Sequence, residues 1–123
     1  KGNMFVWIIP DNFSHLYALP AVALNRLRTV LSRKMNVQIE GDSQISLFTY
    51  DNDTFVVHSF HNAPTQVNLV VKTEKGVTDI QSGEKLAGSV RNSDKVNDRP
   101  IEKVSTVTVT LPPHSFRAFR INR

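Results

Sequence analysis

Residues 45–71, ISLFTYDNDTFVVHSFHNAPTQVNLVV, restrict the fold of this chain more than any other stretch. Residues 45–50 are β-branched and aromatic, Asp51-Asn52-Asp53 has turn chemistry, and residues 54–61 return to strand formers, so the first two runs predict a hairpin. Asn62-Ala63-Pro64 then interrupts the chain, and residues 65–71 predict a third antiparallel strand. In that last run Val67, Leu69 and Val71 share one face, with Gln66 and Asn68 on the other. A sheet that is apolar on one side needs a second layer to cover it.

The flanking sequence supplies that layer. Residues 4–9, MFVWII, form a continuous apolar run that reads as a buried strand. Leu16, Leu19, Ala23, Leu27, Val30 and Leu31 recur at steps of three and four, the stripe of an amphipathic helix. Pro20 suits its first turn, which places the regular helix over residues 20–34. After Asn36 the period changes to that of strands. Val37–Glu40 is one, residues 77–80 another, and residues 85–87 a short third. Residues 88–100, GSVRNSDKVNDRP, are almost wholly polar and predict a long loop. Residues 101–111 set Val107, Val109 and Leu111 on one face and Thr106, Thr108 and Thr110 on the other, before Pro112-Pro113 stops the run. The closing strand, residues 115–121, mixes parities with Phe116, Phe119 and Ile121, which calls for a bulge or for burial on both sides. Short strands with turns about 8 to 12 residues apart predict a mainly β protein, an antiparallel Greek-key β-sandwich with one N-terminal α-helix. The expected division is residues 1–35, a strand and helix packing on the sandwich or on a missing neighbour, and residues 36–123, the sandwich itself.

Composition narrows the chemistry. At 123 residues the chain is long enough to own a core without covalent staples. It has no cysteine, which removes disulfides, thiolate catalysis and cysteine-ligated metals. The formal charge of +4 does not gather into one patch. Arg26, Arg28, Arg33 and Lys34 fall near the C-terminal end of the helix, where the macrodipole favours cations, and Arg117, Arg120 and Arg123 suit the solvent face of the last strand. No nucleic-acid partner is expected. No apolar run approaches the roughly 18 to 20 residues that cross a bilayer, and no membrane partner is expected either.

No catalytic, cofactor or metal residues are assigned. His58 and His61 stand three apart in a strand and face opposite ways, and His15 and His114 are isolated. Asp51 and Asp53 read as turn residues rather than calcium ligands. Asp51, Asp53, Asp79, Glu84, Asp94 and Asp98 are all expected in solvated turns with ordinary pKa values, which suits no general acid. Asn12-Phe13-Ser14 and Asn52-Asp53-Thr54 match the glycosylation sequon. Trp7 lies in an apolar run and Tyr17 near the helix start, so Tyr50, at a strand end, is the candidate ring for carbohydrate contact.

Three segments carry a resemblance. They are residues 54–71, TFVVHSFHNAPTQVNLVV; residues 77–86, VTDIQSGEKL, with Asp79, Ser82, Gly83 and Glu84 in a D-x-x-(T/S)-G-E hairpin; and residues 107–121, VTVTLPPHSFRAFRI. Their order and spacing resemble the C-terminal β-sandwich domain of many glycoside hydrolases, including alpha-amylase-like and beta-galactosidase-like enzymes. The resemblance implies a non-catalytic accessory domain that stabilises or packs against a catalytic barrel, through the helix stripe and one sheet face. The family's catalytic carboxylates belong to the barrel, so none is carried over. A catalytic glycoside hydrolase domain is the implied partner, and a secreted, periplasmic or cell-surface bacterial location the implied setting. Two other readings stand beside it, a carbohydrate-binding module using Tyr50 and an adhesion-type sandwich for protein contacts. Residues 1–35 have no counterpart in the sandwich, and the 88–100 insertion is longer than a simple hairpin.

Overall fold

A computed structural model describes Met4, Val6, Ile8, residues 11–93 and residues 101–123. A 3₁₀ helix, Phe13–Ala18, leads into α1, Ala21–Leu31. Nine strands follow among the described residues: β1 Val37–Glu40, β2 Ile45–Thr49, β3 Thr54–Ser59, β4 Thr65–Val71, β5 Val77–Asp79, β6 Lys85–Leu86, β7 Ser89–Asn92, β8 Lys103–Leu111 and β9 Phe116–Ile121. They form two antiparallel sheets, one in the order β1-β4-β8-β7 and the other β2-β3-β9-β5-β6. The mainly β, two-sheet architecture expected from the strand pattern is what the chain adopts.

Alternation sets the core. Val37, Ile39, Val67, Leu69, Val71, Val107, Val109 and Leu111 from the first sheet meet Ile45, Phe55, Val57, Val77, Phe119 and Ile121 from the second. Phe55 and Phe119, directly opposite each other on β3 and β9, stack with ring centroids 5.4 Å apart at the centre. The threonine face of β8 points the other way, as its pattern requires.

Four expectations need correction. Residues 45–71 do not lie in one sheet: β2 and β3 form the expected hairpin, but β4 crosses over to pair with β1 and β8. Both edges of β3 are taken, by β2 and by β9, so the chain after Asn62-Ala63-Pro64 has no free edge beside it. Met4, Val6 and Ile8 belong to no strand and are 80 to 87 % exposed, so these three are not the buried strand residues expected; Phe5, Trp7 and Ile9 lie outside the described residues. The helix is shorter than residues 20–34 and buries none of its side chains. Ser32 closes it by bonding back to the Arg28 carbonyl, and polar groups hold it to the sandwich: Arg28 donates to the carbonyls of Gly41 (2.6 Å) and Asp42 (2.7 Å), while Asn25 Oδ1 accepts from the Gly41 amide (3.0 Å). The apolar stripe turns partly outward, with Leu31 73 % exposed. Finally, the polar stretch 88–100 begins as strand β7, paired with β8; residues 94–100 lie outside the described residues. An edge strand needs ladder hydrogen bonds more than burial, and Arg91 at its centre bonds Thr106 Oγ1 and Glu40, so hydrophobic alternation had nothing to report.

Gly76 carries a backbone requirement. Its φ is +70°, and a Cβ there would stand 2.1 Å from the Leu86 carbonyl oxygen in the β5–β6 pair. Gly76→Ala is therefore expected to open β6 from β5 and to cost about 2 kcal/mol, read as a lowered urea midpoint.

Candidate docking face

The second sheet has an outer face on which several large apolar side chains lie exposed. Side chains alternate along β2, β3 and β9, so the even-numbered residues point away from the core. Reading across the register, Phe48 lies opposite Val56, Val56 opposite Ala118, and the Ile80 amide bonds the Ala118 carbonyl. These four make one row. A second row runs Ser46, His58, Phe116. Phe60 extends the face beyond His58, the two rings 4.1 Å apart, and its amide bonds the Gln44 carbonyl. At the other end Tyr50, whose amide bonds the Thr54 carbonyl, opens a row that continues through Thr54, Arg120 and Thr78 to Lys85.

Phe48, Tyr50, Phe60, Ile80 and Phe116 are 45 to 66 % exposed. With strands about 4.8 Å apart and same-face rows about 6.8 Å apart, the apolar area spans on the order of 300 Å². Patches of that extent on a soluble protein are commonly functional. The mixed parity of residues 115–121 now has its cause: β9 runs without a bulge, Phe119 and Ile121 face the core, and Phe116 faces out. Neither a bulge nor double burial is present. The signal was in the sequence as aromatic residues at both parities, read there as irregularity.

The inner row of β9 contains Arg117, and it meets Asp79. That carboxylate is nearly fully buried: Oδ1 accepts the amides of Gln81 (2.9 Å) and Ser82 (3.0 Å), and Oδ2 accepts Arg117 Nε (2.9 Å) and Nη2 (2.7 Å). Burial alone would raise its pKa. The Ser82 amide, the Arg117 guanidinium and the Gln81 amide outweigh burial and hold it below the ordinary carboxylate range. The expectation of a solvated, ordinary Asp79 is thus corrected. Asp53 does lie in a turn, but its pKa is not ordinary, since a forked pair with Arg123 lowers it chiefly through the side-chain hydrogen bonds. The Asp79–Glu84 hairpin is closed by the Gly83 amide on the Asp79 carbonyl, with Gly83 at φ +74°.

Residues 36–121 match the model of a family described as probable glycosyl hydrolase, C-terminal domain. The chain belongs to that family. No curated protein and no solved structure matches it. The matched range of this glycosyl hydrolase C-terminal domain holds all nine strands and leaves α1 and the 3₁₀ helix outside.

The remaining sequence candidates of the glycosyl hydrolase C-terminal domain are scattered. His58 lies on the outer face, while His61 Nε2 is 2.7 Å from the Ser43 carbonyl and His114 Nε2 2.7 Å from Asn62 Oδ1. Among the described residues no three His, Asp or Glu side chains come together as metal ligands. Asn12 and Asn52, the sequon residues, both spend their side-chain oxygens on the turn, accepting from the amides of Ser14 (3.0 Å) and Thr54 (3.3 Å). Tyr50 is exposed and shares its face with Phe48, so the one ring singled out from sequence is the end of a larger aromatic surface.

Proposed function

We propose that this chain is a non-catalytic accessory domain of a glycoside hydrolase, joined to a catalytic domain that it packs against and stabilises, with residues 1–35 as the junction and residues 36–123 as the sandwich. The observation that carries the reading is α1. It precedes the matched family range, buries none of its residues, and leaves Leu31, at the end of its apolar stripe, and Val22, on the opposite side of the helix, more than 70 % exposed. Large apolar side chains left in water in this way are favoured when a neighbour covers them. The chemistry of Asp79, the one deeply buried carboxylate among the described residues, points the same way. Asp79 is locked in its charged form by a guanidinium and two amides, the reverse of the raised pKa a glycosidic general acid requires.

The test compares three polypeptides: the complete one, the complete one lacking residues 36–121, and the 123-residue chain alone. The complete polypeptide is expected to hydrolyse aryl glycosides. The shortened form is expected to lose activity about tenfold faster on heating, and the 123-residue chain to give no turnover. Turnover by the chain alone, or none by the complete polypeptide, would overturn the reading.

A further inference from the structure

We propose that the outer face of the β2-β3-β9-β5-β6 sheet, centred on Phe48 and Phe116, is the surface on which the catalytic domain of the same polypeptide sits, and that this neighbour meets it with an apolar patch rimmed by carboxylates. The proposal rests on the accessory-domain reading and specifies its contact. Three observations choose the occupant. The first is charge: among the strand positions of this sheet that point outward, the charged ones are Arg120 and Lys85, both cations and both exposed. Two copies of the face would bring like charges together at their rims, whereas an acidic rim would be matched.

The second is area. About 300 Å² is well short of the roughly 800 Å² per partner that a freely diffusing complex buries. Counted on both partners it comes to about 600 Å², the lower end of contacts between domains of one chain, where the tether supplies an effective concentration in the millimolar range and a smaller contact suffices. The third is stiffness. Phe48 and Phe116 stand on β2 and β9, both paired to β3, and Phe119 beneath them is fully buried, so the face is preorganised. A rigid apolar surface gives up little side-chain freedom on docking.

Because the chain has no cysteine, a single introduced thiol reports on the face. In the complete polypeptide, Phe116→Cys is expected to react with a maleimide at least tenfold more slowly than Thr110→Cys, an exposed position on the outer face of the other sheet, with labelling sites assigned by peptide mass mapping. Ala118→Cys, a smaller change in the adjoining row, is expected to show the same protection and guards against a folding defect in the first variant. Adding Arg120→Glu is expected to raise the labelling rate several-fold. Equal rates at both positions would overturn the proposal. So would protection that disappears on dilution, which would mean a second copy, or protection that appears only with added oligosaccharide, which would mean a glycan platform. Aryl glycoside turnover measured on the same samples separates the two levels: its presence with an unprotected Phe116→Cys sinks the docking face alone, and its absence sinks the accessory-domain reading.

Discussion

Truncating Phe119 to alanine is expected to cost about 4 kcal/mol, the largest single loss in the chain. The side chain has no exposed surface, lies directly opposite Phe55 and stacks on it at 5.4 Å, and the Arg117 guanidinium carbon sits 5.2 Å from its ring centroid. Its strand is interior to the second sheet, held by β3 on one side and β5 on the other, so the void cannot be filled by an edge strand moving in. Against a total stability of about 5 to 15 kcal/mol, the variant would fold only marginally. Phe116→Ala, three residues earlier but on the outer face, is expected to change the stability of the chain by less than about 1 kcal/mol. Urea titration of both variants checks the pair, and equal losses would mean that the two faces of β9 have been assigned wrongly.

Asp79→Asn is expected to cost about 3 kcal/mol. An asparagine can keep one oxygen for the Gln81 and Ser82 amides, but it presents no charge to Arg117, whose side chain is three-quarters buried. The pH dependence follows from the lowered pKa. A carboxylate whose folded pKa lies below its unfolded value of about 3.9 stabilises the fold above that value and loses the contribution as pH falls through the folded pKa. The wild-type chain should therefore lose stability steeply below about pH 4, and the Asp79→Asn chain less steeply. Parallel acid profiles for the two would remove Asp79 from the account of acid sensitivity.

Sequence legibility followed burial. The strands whose apolar residues sit at every second position were readable in place, because over most of their length β4 and β8 have one face against the core and one toward solvent, with Val70 and Val104 the buried exceptions on the outer side. β7 was not readable, since an edge strand carrying Ser89, Arg91 and Asn92 is defined by its pairing rather than by its pattern. The sheet to which β4 belongs was also hidden. Which edges remain open is a property of distant strands, and β9, which closes β3, lies more than fifty residues away in sequence. The D-x-x-S-G-E hairpin was recognisable as a turn, but its deeper role was not: Asp79 is buried because Arg117, far along the chain, comes to lie over it. The aromatic outer face failed for a different reason. Phe48, Phe60 and Phe116 look like core residues by type, and only the register shows that Leu47, Ser59 and Phe119 hold the inner positions.

The position of β9 also bears on how the molecule is made. Of the nine strands it is the latest in sequence, yet it occupies the middle of its sheet. While a ribosome is still extending the chain, β3 has one unpaired edge and the Phe55 ring has no stacking partner until residues 116–121 emerge, several seconds after the β2–β3 hairpin at about 5 to 20 residues per second. Over that interval the nascent segment presents a sticky, half-finished sheet, and a chaperone or an already folded upstream domain that shields it would raise the yield of native protein.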